Sequence, residues 1–362
     1  MEVNKKNILV CPLNWGLGHA ARCVPIIREL VSQGAMPIIA ADEGPLELLQ
    51  QEFPKLAYIR FPGVPVRYPL PGESMMWSMM KQAPGLLNGI SAESKFIENI
   101  IEEKRIDAVI SDNRFGAFSQ KVPSVYITHQ IHIQTGYWLT DALARKQHGR
   151  YMRNFQTVWI PDFDAEENLS GKLSHGNNIP AHAKYIGILN RLDQIYTDKK
   201  KYDVAFILSG PEPQRSILEV GCIEQAAQFP DKKFMLVSGK NCPSVEVPEN
   251  MDRIPMTDSK TIEKIYATSE NIVCRSGYTS LMEMASVGRS AWIIPTPGQT
   301  EQEYLADYLA GRMGFRTMGQ DSFSLHEVFE NPISHSHTSK YNNHLLTEAV
   351  SKLLDSIKKA NP

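Results

Sequence analysis

Apolar residues in this chain come in short blocks, separated by stretches in which apolar positions recur every three or four residues. Blocks at 8–11, 37–41, 57–61, 107–111 and 124–128 read as strands, and stretches at 20–33, 43–52 and 91–104 as helices, the first of them stopping at Gly34. A second series follows, with strands at 202–208, 233–238, 271–274 and 291–294 and helices at 214–228, 261–268, 280–287 and 301–313. Strands alternating with helices predict βαβ units, hence parallel sheets covered by helices on both faces. Residues 343–359 place Leu345, Leu346, Ala349, Val350, Leu353, Leu354 and Ile357 on one helical face, so this tail should dock on another element.

Two stretches break the rhythm. Residues 62–89, rich in Pro, Gly and Met, predict an irregular functional loop or lid. Its Met75–Met80 patch suits an adaptable apolar surface, against a lipid or packed on its own domain. Residues 161–184 are polar, with Pro161, Asp162, Asp164, Gly171, Gly176, Asn177 and Asn178, which suits a linker. The expected organisation is an N-terminal domain over 1–165, a crossing at 166–184, a C-terminal domain over 185–335 and a terminal helix over 336–362. The fold class is α/β: two Rossmann-like parallel-sheet domains facing a central cleft, with the last helix packing back. Ligands of such sheets bind beyond the carboxyl ends of the strands.

Composition narrows the function. With 362 residues, 42% hydrophobic and 22% charged, the chain can bury a core. A formal net charge of −2 and the lack of a long basic run argue against nucleic acid as partner. The five cysteines (Cys11, Cys23, Cys222, Cys242 and Cys274) are scattered and odd in number, which fits a reducing compartment and neither a disulfide framework nor a cysteine metal site. The apolar run at 7–11 is too short for a signal-peptide core, and no stretch is long enough to span a bilayer. A cytoplasmic protein is expected, with one-sided attachment to the inner membrane face left open.

The most informative segment is Ile272-Val273-Cys274-Arg275-Ser276-Gly277-Tyr278-Thr279-Ser280-Leu281-Met282-Glu283. A strand leads through small residues into a helix, and loop amides with a helix N-terminus suit a diphosphate. Ser276, Thr279 and Ser280 add hydroxyls, and Glu283, one turn on, can accept two hydrogen bonds from a ribose diol. The same residues also suit a plain helix N-cap with a first-turn acid. After the next strand, Pro295-Thr296-Pro297-Gly298-Gln299-Thr300-Glu301-Gln302-Glu303 again runs from a loop into a helix, with side chains suited to sugar hydroxyls. Together the two segments resemble the nucleotide-sugar signature of GT-B glycosyltransferases. In family 28, the peptidoglycan N-acetylglucosaminyltransferase-like enzymes, it reads roughly S-R-A-G-x-x-T-x-x-E, then V-P, then Q-Q-x-x-N-A. In the plant nucleotide-sugar glucosyltransferases it reads x-C-G-W-N-S-x-x-E, then P, then E/D-Q. Arg275, Gly277, Ser280, Glu283, Pro295, Glu301 and Gln302 match in order and spacing, whereas Glu303 and Ala306 depart from the pattern.

The resemblance implies that Glu283 holds the ribose, that Ser280 and nearby amides hold the diphosphate, and that Gln302 with Glu301 or Glu303 holds the sugar. It also implies that Ser209 and Gly210 stand where the family has a phosphate loop, and that Arg191 brings a cation toward phosphate. A plain turn and a solvated arginine are the competing readings there.

Near the N-terminus, Gly16-Leu17-Gly18-His19-Ala20-Ala21-Arg22 follows the first strand. The helix dipole disfavours a charged His19 and keeps it able to accept a proton. This loop resembles the acceptor-side loop of GT-B enzymes, with His19 as base and Asp112, at a strand end, as its orienting partner. His129, Gln130 and His132 occupy the place of the family's H-E-Q-N stretch on the acceptor side. The expected activity is metal-independent, inverting transfer of a hexose or N-acetylhexosamine from a UDP-type sugar to an unidentified acceptor hydroxyl, with no cofactor. A nucleotide-sugar epimerase and a non-catalytic nucleotide-sugar sensor are the alternatives.

Overall fold

The computed structural model describes residues 5–63, 75–135, 138–193, 197, 199–239, 245–255, 257–333 and 344–360. The chain divides into two compact units, Met1–Leu189 with Asn342–Pro362, and Asn190–Tyr341.

The first unit runs β1 (Asn7–Pro12), α1 (Leu17–Ser32), β2 (Met36–Ala41), α2 (Glu43–Glu52), β3 (Tyr58–Arg60), α3 (Met75–Lys104), β4 (Ala108–Asp112), β5 (Ser124–Ile127), α4 (Trp138–Met152), β6 (Thr157–Ile160) and β7 (Ala183–Tyr185). Its seven strands lie in the order β3-β2-β1-β4-β5-β6-β7, and every pair is parallel. The central strands are buried, but for Asn7 at the start of β1, because their near-continuous apolar runs are covered on both faces. On one face Leu9, Cys11, Ala40, Val109, Ile97 and Ile101 form a core under α3.

The second unit runs β8 (Tyr202–Ile207), α5 (Gln214–Ala226), β9 (Phe234–Val237), β10 (Met251–Ile254), α6 (Ser259–Thr268), β11 (Ser269–Arg275), α7 (Tyr278–Ser286), β12 (Ala291–Ile294), α8 (Thr300–Leu309), β13 (Phe315–Thr317) and α9 (Leu325–Glu330). Its six parallel strands lie in the order β10-β9-β8-β11-β12-β13. The chain then returns to the first unit as α10 (His344–Ala360), which packs on α1 through buried Leu346, Val350, Leu353 and Ile357. Gln33 reinforces this contact by donating from Nε2 to the carbonyl of Thr347 at 2.9 Å. The terminal helix therefore docks as its one-sided apolar pattern requires.

In each sheet the strand order reverses once, between β1 and β4 and between β8 and β11. At these switch points the loops leaving adjacent strands diverge and open a crevice at the carboxyl edge. Every candidate loop read from the sequence leaves the carboxyl end of a strand, and those after β1, β4, β8 and β11 flank the two switch points.

Two expectations change. The break at 62–89 is not irregular throughout: α3 begins at Met75 and runs unbroken through Pro84 to Lys104. Apolar residues lie on both sides of Pro84 and Gly85, so the helix continues past two residues that usually end one. The Met75–Met80 surface itself lies outside the described side chains. The polar segment 161–184 is not a free linker, since it belongs to the first unit and ends in β7. Its polarity is internal. Asp162 is fully buried and accepts from the backbone of Phe163, Leu169 and Ser170 at 2.9, 3.2 and 2.9 Å, and from the Ser170 hydroxyl at 2.5 Å.

Candidate functional site

At the switch point of the first sheet, β1 and β4 pair in register up to Pro12 and Asp112. Asp112 is wholly buried. Four residues past the end of β1 the backbone turns at Gly16 (φ 152°), a conformation open to glycine and strained for any side chain. α1 starts immediately afterwards, with no side-chain cap from Gly16, and its first turns carry His19 and Arg22. Arg22 clamps Asp112, donating from Nε to Oδ2 at 2.6 Å and from its terminal nitrogen to Oδ1. Burial alone would raise the Asp112 carboxyl, but the Arg22 guanidinium and His19 outweigh it and hold the group at about 2. The carboxylate is therefore ionised at neutral pH.

His19 stands beside this pair. Its Nδ1 lies 2.8 Å from an Arg22 terminal nitrogen, which can only donate, and 3.4 Å from Asp112 Oδ1, which can only accept. If Nδ1 accepts from Arg22, the ring proton sits on Nε2. If Nδ1 turns its proton to Asp112, Nε2 becomes a base. Burial, and then the neighbouring Arg22, lower the imidazole's pKa, so both forms are neutral. His129 joins the cluster, its Nδ1 being 3.4 Å from the Arg22 guanidinium. Gln130 lies one residue on, its amide donating to the Thr128 hydroxyl at 3.1 Å. His132 is held by its backbone to Leu173 at 2.8 Å, and half-burial lowers its pKa. Gly18 lies within the first turn of α1. Among the described residues, no three His, Cys, Asp or Glu side chains gather as a metal-binding group.

The switch point of the second sheet is built differently. α7 is preceded by Gly277, which has ordinary extended dihedrals (φ −71°, ψ 136°) and open space where a Cβ would stand. Neither Gly277 nor Gln299, at the start of α8, caps its helix with a side chain. Asp258 and Ser324 do cap α6 and α9. The starts of α7 and α8 thus bring the positive end of the helix dipole to the carboxyl edge without a side-chain cap from Gly277 or Gln299. Thr279 and Ser280 lie half-buried in that first turn of α7. Beside them, the loop after β8 carries Ser209 and Gly210. Gly210 adopts φ 102°, and a Cβ there would stand 3.7 Å from the Thr296 hydroxyl, so the loops after β8 and β12 meet.

Several residues read as ligands also hold these loops together. Arg275 is 1% exposed. Its guanidinium donates to the carbonyls of Pro295 at 3.2 Å and Gln214 at 2.7 Å, and to Gln320 Oε1 at 2.6 Å. Ser276 donates to the carbonyl of Gln302 at 2.8 Å. Gln302 accepts from the amide of Thr296 at 3.0 Å and donates to Gln299 at 2.5 Å. Glu303 accepts from the amide of Gly298 at 2.8 Å. Glu301 lies half-buried in the first turn of α8.

Glu283 and Arg191, read separately from the sequence, are brought together: Arg191 Nε donates to Glu283 Oε1 at 2.7 Å, both side chains being buried. The Tyr266 hydroxyl reaches Glu283 Oε2 at 3.5 Å. Arg191 is thus directed at a carboxylate within its own unit. Sequence reasoning passed over Arg22, although it quoted the residue, because its partner is 90 positions away. It also passed over Tyr266 and over Thr296, whose buried hydroxyl has no partner among the described residues.

Residues 217–357 match the model of the glycosyltransferase family 28 C-terminal domain. No curated protein matches the chain. Among solved structures, the glycosyltransferase SnogD from Streptomyces nogalater is similar over 99% of this chain and 96% of its own, with a TM-score of 0.60 and 14% identity. MurG from Acinetobacter baumannii is similar over 98% and 99%, at a TM-score of 0.51 and 14% identity. The spinosyn rhamnosyltransferase SpnG, complexed with thymidine diphosphate, is similar over 98% and 96%, at 0.56 and 14%. The fold is therefore that of the GT-B glycosyltransferases, and residues 217–357 are similar to the C-terminal domain of glycosyltransferase family 28.

Proposed function

We propose that this chain is a glycosyltransferase that moves a hexose or N-acetylhexosamine from a UDP-type nucleotide sugar to an acceptor hydroxyl, with inversion and without a metal ion. The observation that carries the donor half is the edge of the second sheet. Two helix starts without side-chain caps and the glycine loop at Gly210 converge there, and Glu283 stands one turn into α7. Amides and helix dipoles stabilise the charge that develops on a leaving diphosphate, the task a metal performs in other enzymes. Glu283, oriented by Arg191, accepts from the ribose diol, and Glu301 with Gln302 borders the sugar. Thymidine diphosphate in the similar SpnG structure supports a pyrimidine nucleoside diphosphate as donor.

On the N-terminal unit, His19 takes the proton of the acceptor hydroxyl at Nε2 once its Nδ1–H has turned to Asp112. The depressed pKa of His19 keeps it neutral for this role. Gly16, Gly18, His129, Gln130 and His132 lie on the acceptor side, toward the acceptor's reacting end. One base and no covalent nucleophile make a single displacement, which inverts the anomeric carbon.

The test is thermal stability with uridine or thymidine diphosphate in chelator, followed by mass spectrometry of reactions with nucleotide sugars. Ligand at 100 times its Kd should stabilise the fold by about 2.7 kcal/mol. Stabilisation that appears only with added magnesium or manganese would overturn the metal-free reading. An altered sugar on the free nucleotide, formed without acceptor, would indicate an epimerase.

A further inference from the structure

A cavity of about 460 Å³ opens at the switch point of the first sheet, inside the N-terminal unit. Its walls come from the two loops that carry the His19–Asp112 cluster and from two helices. Leu13 and Trp15 follow β1, Phe115 follows β4, Leu87 and Ile90 project from α3, and Leu143 projects from α4. Leu13 donates its amide to the carbonyl of Asp112 at 3.0 Å, and Asn113, the next residue along, also lines the cavity. The cavity thus begins one residue from the carboxylate that orients His19.

Its lining is almost entirely apolar, and its mouth is unusually so. Trp15, Leu87 and Leu143 are 37%, 55% and 69% exposed, three of the eight large hydrophobic side chains exposed among the described residues. Apolar side chains gathered at the rim of a concave site mark a binding surface. The two charges in the lining cancel. Arg114 donates from Nε and a terminal nitrogen to Glu93 Oε1 at 2.9 and 2.7 Å, and its remaining donors go to the carbonyls of Phe61 and Pro62 at 2.9 Å each. Glu93 Oε2 accepts from the amide of Gly116 at 3.2 Å. Both side chains of the pair are buried, and the other polar groups of the described lining are neutral: the amides of Asn113 and Gln147, the Tyr151 hydroxyl and the Trp15 indole N–H.

We infer that this cavity holds the acceptor, and that the acceptor is a compact, uncharged, lipophilic alcohol or phenol. A charged headgroup would find no counter-ion among the described residues of the lining, where Arg114 and Glu93 are paired with each other, and burying it unpaired is costly. The volume falls within the range that encloses one drug-sized molecule, too small for a long prenyl chain. The inference rests on the proposed transfer reaction only for the word acceptor; the binding site and its ligand class stand on the cavity.

The experiment follows tryptophan fluorescence of the full chain against a panel of neutral polycyclic phenols and alcohols, a polyprenyl phosphate and a hydrophilic oligosaccharide. Trp15→Phe assigns the signal. Neutral lipophiles should quench saturably, and Leu87→Glu or Leu143→Glu should weaken them by about 10-fold or more, the effect of losing roughly 1.4 kcal/mol. Both positions are exposed, so the fold should tolerate the change, and unaltered stabilisation by uridine diphosphate verifies that it does. Saturable binding with no transfer from any nucleotide sugar would keep the cavity's ligand class and sink the transfer reading. Transfer to a hydrophilic acceptor undisturbed by Leu143→Glu would keep the reaction and overturn the cavity assignment. Tighter binding of the polyprenyl phosphate than of every neutral lipophile would overturn it as well.

Discussion

The two switch points use one scaffold in opposite ways. At β1 and β4 the carboxyl edge carries charge: Arg22, Asp112 and His19 lie within hydrogen-bond reach of one another, largely out of water. At β8 and β11 the edge carries shape. Arg275 is turned to the carbonyls of Pro295 and Gln214, and Ser276 and Gln302 tie the loops together. A buried cluster of titratable groups suits moving a proton, because small displacements change which nitrogen holds it. A braced loop with uncapped helix starts suits holding an anion, because its partial charges need no counter-charge. The difference teaches that a motif arginine can be ligand or brace, and that only its partners tell which.

The sharpest break of this comparison is His19→Ala. Loss of a general base should lower the single-turnover rate by about 10²–10⁴-fold while donor affinity stays put. A near wild-type rate would move the base elsewhere, with His129 the neighbour to try next.

Asp112→Ala should cost about 3–5 kcal/mol in denaturant unfolding, because it leaves the Arg22 charge buried without its partner. Arg275→Met, the counterpart at the other edge, should cost less, roughly 1–3 kcal/mol, from strand-end carbonyls left without donors. Equal costs would mean that the two edges do not differ as described.

The smallest effect is acid sensitivity. Asp112 is held at about 2, below its ordinary 3.8. A depressed carboxyl adds stability above its unfolded pKa and loses it as pH falls toward the folded one. That contribution should therefore be complete above about pH 4 and vanish by about pH 2, and it should be on the order of 2 kcal/mol. An Asp112→Asn variant whose stability falls as steeply over that range would assign the acid sensitivity to other groups.

Much of this was legible in local pattern. The α/β alternation placed β1, α2, β12 and α10 within a residue or two of where they lie, because central strands buried on both faces read as continuous apolar runs. Three helices were not. α3 hides its start behind Pro84 and Gly85, α4 spreads its apolar residues around the helix with no single face, and α9, at six residues, is too short for a helical period to show. At the site, His19 and Asp112 could be paired because each ends or follows a strand. Arg22, Arg191 and Arg275 could not be assigned, since their partners lie 90, 92 and up to 61 positions away and a guanidinium reads the same on either side of a strand end. Asp162 misled for the related reason that a satisfied buried acid looks like a solvated one in sequence.

The division of labour between the edges rests on Glu283 holding the nucleotide. Calorimetric titration of uridine diphosphate into the wild type, His19→Ala and Glu283→Ala, all in chelator, tests this directly. The account predicts wild-type affinity for His19→Ala and a loss of about 1.5–3 kcal/mol for Glu283→Ala, the worth of hydrogen bonds to a charged group. Unchanged affinity in Glu283→Ala, or a loss confined to His19→Ala, would contradict it.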